Sequence, residues 1–164
     1  MKLKLHKTKN GLAETIRKTM IQLLNQQLAD VLDLGWQARQ AHWNVKGPHF
    51  IALHELFGKI AEELDGFADE IAERAVALGG VARGTLQVVA QESRLGAYPL
   101  NITSGRQHLV AVSDALAKFG ANARAAIDAA SEAGDADTAD IFTEISRGVD
   151  KLLWFLEAHT QANE

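Results

Sequence analysis

The chain has 164 residues, 47% of them hydrophobic and 23% charged, with no cysteine and a formal charge of −4. A single domain of this size buries roughly 70% of the surface its unfolded form exposes, and the lack of cysteine excludes a disulfide framework, a thiolate zinc site and thiol catalysis. Apolar runs fall well short of the ~20 residues that span a bilayer, and the opening MKLKLHKTKN has no apolar signal core or small-residue cleavage site. The expectation is an intracellular, cytoplasmic, unprocessed protein with no membrane partner. Pro48 and Pro99 are the only prolines, which favours an all-α chain over a turn-rich sheet protein.

In chain order, Lys2, Lys4, Lys7 and Lys9 come before any acidic residue, so the first ten residues carry +4 and the remainder carries −8 of the overall −4. Residues 1–10 read as a flexible basic tail ahead of one domain over 11–164. Its ammonium groups can neutralise phosphates without reading sequence. The same composition also suits a tail that only aids solubility.

From residue 11 to 44, Met20, Leu24, Leu28, Val31, Gly35 and Ala38 lie within about 40° of one line at helical spacing. NVKGPH then breaks the helix, because Gly47 tolerates a left-handed conformation and Pro48 suits a first helical turn. A second helix is expected from Pro48 to Leu78, ending at Gly79 and Gly80. Residues 79–103 form a long connection whose TLQVVAQESR segment is expected to make a short helix, with Asn101 to Ser104 as a cap. A third helix over 104–130 and a fourth over 137–161 complete the set. Short, long and short connections among four helices describe a bundle with one crossover, a ferritin-like topology.

His42 falls on the buried stripe of the first helix, and the second carries His54, Asp65, Asp69 and Glu73 within about 100° of arc. Such a cluster suits a metal, although a solvated face with one buried histidine gives the same pattern. His42 and His54 are each six residues from Pro48, so an antiparallel hairpin brings both imidazoles to one level, about 9 Å from the turn. Asp69 is fifteen residues beyond His54, or about 22 Å along the same rod, so one chain cannot close a site around both. Two copies packed antiparallel about a two-fold axis near Glu62 set residue 54 of one opposite residue 70 of the other. The spacing therefore predicts a dimer with two shared sites. No histidine has a glutamate three residues before it, which disfavours a site built from Glu-x-x-His pairs inside one bundle.

AHWNVKGPHF, HELF, DEIAERAVALGG, AYPL, TADIF and DKLLWFLE, in this order and spacing over about residues 20–158, resemble the Dps family, the DNA-binding proteins from starved cells. That resemblance implies ferritin-like subunits assembled as a hollow dodecamer. It also implies a ferroxidase that oxidises Fe(II) with hydrogen peroxide, stores iron, and binds DNA non-specifically at the nucleoid. His42 and His54 resemble the family's histidine ligands from one subunit, and Asp69 and Glu73 its carboxylate ligands from the two-fold partner. An aspartate that commonly follows the second histidine by four residues is here Gly58, with Glu62 or Asp65 as candidate replacements. Asp135, Asp137, Asp140 and Glu144 are candidates for an iron-admitting three-fold pore, or for helix capping. Lys2, Lys4, Lys7 and Lys9 are the DNA-binding candidates. Trp43 is expected to pack in the core, Trp36 and Trp154 in the core or an interface, and His49, His108 and His159 to be structural.

Overall fold

The computed structural model describes residues 5–161. These form five helices: α1 (Glu14–Asn44), α2 (Phe50–Ala77), α3 (Leu86–Glu92), α4 (Gly105–Glu132) and α5 (Ala136–Glu157). The four long helices and the short one in the crossover match the expected all-α architecture. α2 starts two residues later than the spacing suggested, because Gly47 at φ 121° and Pro48 belong to the turn, where Gly47 O accepts from Phe50 N–H. No described helix is long and apolar enough to cross a membrane.

α1 pairs with α2 and α4 with α5. Between the pairs lies one core that includes Leu24, Leu34, Phe57, Leu64, Phe119 and Phe142, all fully buried. Burying each such side chain contributes about 1.5–3 kcal/mol.

The helix ends follow from local chemistry. α2 stops at Gly79, φ 89°, whose N–H donates to Val76 O while Gly80 N–H donates to Ala75 O. α4 ends the same way at Gly134, φ 79°, with Asp135 N–H reaching Ala130 O. Both are left-handed glycine caps that satisfy the last carbonyls. α4 begins with a capping box in which Ser104 accepts from Gln107 N–H, a cap its position in the sequence suggested.

Polar residues on α1 secure the long crossover. Asn25 donates to Val81 O and accepts from Arg83 N–H, Gln26 donates to Glu92 O, and Gln37 donates to Gly96 O. Asp30, with no exposed surface, accepts from the Arg94 N–H at 2.8 Å and from its guanidinium at 2.5 Å and 2.9 Å. A buried carboxylate is tolerated because these charge-assisted bonds replace its water. Of the basic leading segment, Leu5 packs on the core and His6 N–H donates to Gly79 O. Lys7 and Lys9 are exposed, and Lys2 and Lys4 lie outside the described residues.

Candidate metal centre

The turn between α1 and α2 is fastened to the start of α4, where Lys46 N–H donates to Thr103 O at 3.1 Å and Gly105 N–H donates to Lys46 O at 3.2 Å. Lys46 is thereby diverted from His42 O, the acceptor it would meet if α1 continued. His54 fills that role: its Nδ1–H donates to His42 O at 2.8 Å. In return His42 Nδ1–H donates to His54 O at 2.6 Å. The two rings stack at 3.7 Å between centroids and 23° between planes, with Phe50, one turn before His54, against the second ring at 5.1 Å.

This double clasp decides the tautomers. Each imidazole uses Nδ1 as a donor to a carbonyl, so each presents Nε2 as a lone pair, the state a metal ligand requires. Both rings are half-buried and at one level, as their equal distance from Pro48 predicted. The fit to a divalent transition metal is good: two oriented imidazole nitrogens share one level.

Gly58, one turn after His54, lies under this clasp. A Cβ there would stand 3.1 Å from His42 Nδ1 and 3.3 Å from its Cε1. With no side chain at this position, the ring rests on His54 O without the small shift that a Cβ would demand.

Asp69 and Glu73 are exposed on the far half of α2. Among the described residues, no three histidine or carboxylate side chains of one chain gather closely enough to hold a metal. Asp65 is ion-paired with Arg39 across α1 and α2, which leaves it poorly placed to replace the missing aspartate, whereas Glu62 is exposed. Near Asp69, Glu70 has its carboxyl raised above the ordinary value by burial, then by the negative charges of Glu144 and Asp69. A cation would relieve that like-charge field.

Two shallow grooves mark the outer face of this hairpin. One is lined by Leu32, Trp36, Arg39, Trp43 and Asp65; the other by Leu28, Leu32, Asp65, Ala68 and Asp69 among others. They share Leu32 and Asp65, and so run from the histidine half of the face to the carboxylate half. Here the expectation of a core tryptophan is corrected: Trp43 is 61% exposed, and Trp36 and Trp154 are 48% and 59% exposed. Burial inside the subunit is not their role. Spacing missed this because Trp36 and Trp43, seven residues apart, share a helix face that points away from the bundle.

Of the four acidic pore candidates, Asp135 is 1% exposed and fully occupied. It caps α5 through Thr138 N–H, accepts from the Thr138 hydroxyl at 2.6 Å, and pairs with Arg74 at 2.6 Å. It is a cap and cannot face a pore. Asp137, Asp140 and Glu144 are exposed, Asp137 lying 3.5 Å from Arg74. His108 is buried and bonded to Tyr98.

The bundle with its single crossover and its paired imidazoles agrees with what the chain is similar to. A family model for the ferritin-like domain matches residues 21–163, and the chain belongs to that family. A DNA protection during starvation protein of Agrobacterium fabrum is 50% identical over 97% of this chain and 98% of its own. Two solved structures are also similar. One is Dps from Microbacterium arborescens in the high iron form, with TM-score 0.86 and 31% identity, covering 96% of this chain and 100% of that one. The other is the Vibrio cholerae O1 Dps protein, described as a member of a superfamily of ferritin-like diiron-carboxylate proteins, with TM-score 0.89 and 25% identity over 96% and 99%. Within the ferritin-like family, this chain is placed among the Dps proteins.

Proposed function

We propose that this chain is an iron-oxidising and iron-storing subunit that protects DNA, with its oxidation site shared between two copies. His42 and His54 of one subunit and Asp69 and Glu73 of the two-fold partner hold Fe(II), the substrate. The observation that carries this reading is the imidazole clasp: two Nε2 atoms are aimed by the bonds that their rings make to backbone carbonyls, with no carboxylate among the described residues of the same chain near enough to complete a ligand set. The groove running from Trp43 to Asp69 supports a second copy on this face. Exposed indoles there acquire a reason when buried in an interface.

Peroxide takes one electron from each of two Fe(II) ions and leaves as water, so ferrous iron and peroxide do not meet in solution to form hydroxyl radical. Imidazole and carboxylate suit the task because they bind both iron oxidation states without being oxidised themselves. In a hollow dodecamer, Asp137, Asp140 and Glu144 would draw cations to a three-fold opening. Ferric product is stored inside. Gly58 supplies no carboxylate, so the second iron position is the weaker one, and a DNA-compacting assembly with slow iron oxidation is the alternative reading.

DNA contact is assigned to Lys2, Lys4, Lys7 and Lys9, repeated on each subunit of a cytoplasmic, nucleoid-associated shell. Multivalency raises avidity by about 10² to 10⁴, and the binding should collapse as salt rises. Deleting residues 1–10 should abolish DNA retention at low salt; unchanged retention would remove the tail from the account.

Stopped-flow absorbance after mixing Fe(II) and peroxide with the apoprotein tests the enzyme reading. Oxidation is expected to outrun the buffer control and to fall to that control in His42→Ala with His54→Ala. An unchanged rate in the double variant refutes the ligand assignment, and a wild-type rate equal to buffer favours the DNA-compacting alternative.

A further inference from the structure

Tyr98 is the only tyrosine in the chain. It sits half-buried in the crossover, its hydroxyl 2.5 Å from Nδ1 of His108 on α4. The two rings are nearly parallel, 6.1 Å apart and 18° between planes. His108 is 1% exposed and meets Phe57 of α2 edge-on at 6.5 Å. Phe57 is the neighbour of Gly58, so the pair stands behind the imidazole clasp at the same end of the bundle.

Burial, helped by the charge of Lys46, holds His108 below the ordinary imidazole value, and burial pushes Tyr98 up to about 12. Both groups are neutral at physiological pH, and because the phenol is the stronger acid and the imidazole nitrogen the better acceptor, the bond is assigned as phenol O–H donating to Nδ1. The imidazole proton then sits on Nε2, which is buried and has no hydrogen-bond partner among the described residues. A buried donor left unpaired costs about 1–3 kcal/mol, and such a group in a native fold calls for a reason. A phenylalanine against an apolar residue would fasten the crossover to α4 without that cost.

We propose that Tyr98 is a one-electron donor whose proton passes to His108, so that the pair absorbs oxidising equivalents that stray from the iron site. The step balances. A one-electron oxidant of the hydroxyl-radical class, formed from peroxide, takes an electron from the phenol ring and is reduced to hydroxide. The oxidised phenol is a strong acid, and its proton crosses the 2.5 Å bond to Nδ1. A neutral tyrosyl radical and an imidazolium remain. An electron from Fe(II), which becomes Fe(III), restores the phenolate oxygen, and the proton returns to it from the imidazolium. Return is favoured because a buried imidazolium beside Lys46 is unstable. With no cysteine and two methionines, sulfur donors offer little competition.

The source of the oxidant rests on the iron and peroxide reading above, but the pair can be tested without iron. In the metal-free assembly, flash oxidation by photoexcited tris(bipyridine)ruthenium with persulfate, followed by freezing and electron paramagnetic resonance, should give a tyrosyl signal. That signal should vanish in Tyr98→Phe, and its yield should vary little with pH across the neutral range. In His108→Phe and in His108→Gln, where the amide can accept a hydrogen bond but not a proton, the yield should drop several-fold and become pH-dependent. Either variant that retains its thermal unfolding midpoint suffices. Indole radicals alone in the wild type, or a full tyrosyl yield in His108→Gln, overturns the proposal. If the flash arm gives the radical while Fe(II) with peroxide gives none, the pair stands and the iron reading loses support.

Discussion

Gly58 shows how one residue can shape its neighbours through the side chain it lacks. The His42 ring is held by a 2.6 Å bond on its edge and by the His54 ring 3.7 Å away on its face, so the retreat of a few tenths of an ångström that a Cβ 3.1 Å from Nδ1 demands works against both contacts. Replacing a helical glycine by alanine ordinarily stabilises by about 1 kcal/mol. Gly58→Ala should instead lower the urea midpoint, and a rise of the ordinary size would show that the clasp is loose. At His108 the pH dependence has a definite sign. Its folded value lies below the unfolded one, so the unfolded state takes up the proton first. Stability is whole above the ordinary imidazole value of about 6.5, declines as pH falls below it, and levels off beneath the folded value. Urea midpoints at neutral and mildly acidic pH should differ more for the wild type than for His108→Phe.

Helix number, order and most boundaries were legible in the sequence because the apolar period and the glycine stop at Gly79 and Gly80 leave a direct trace, whereas the stop at Gly134 was not read and the third helix runs two residues past the expected 130. The level of His42 and His54 was legible too, from their equal spacing about Pro48. The clasp between them was not, since it depends on Lys46 being drawn away to Thr103 O, a contact made across 57 residues. The polar ladder of Asn25, Asp30 and Gln37 was equally hidden: its partners lie in the crossover, and polar residues on a helix read as solvent-facing until a loop covers them. Asp135 was legible only as a choice between pore and cap, which burial decides. Its carboxylate is paired with Arg74 inside the α4–α5 corner, and removing one partner of a buried pair costs about 3–5 kcal/mol. Asp135→Ala should therefore lose stability on that scale in a denaturant titration. Asp140→Asn with Glu144→Gln should leave stability unchanged and slow iron uptake. A stable, slow-loading Asp135→Ala would contradict the division between cap and pore.

On the scale of the whole molecule, the subunit reads as half of something. Its outer α1–α2 face bears exposed Trp36 and Trp43, its nitrogen donors lie at one end and its carboxylates at the other, and the rod between them spans about 22 Å. Trp36 was legible only as a choice between core and interface, and Trp43 was misplaced in the core, because a residue on an outward helix face has the same period as one that packs within the bundle. A complementation assay tests the shared site most directly. Subunits carrying His42→Ala and His54→Ala are unfolded, mixed equally with subunits carrying Asp69→Asn and Glu73→Gln, and refolded together. Each parent should be inactive, yet a mixed two-fold dimer keeps one intact site of two, so random pairing should restore about a quarter of the wild-type rate of iron oxidation. Mixed assemblies as inactive as their parents would contradict the account.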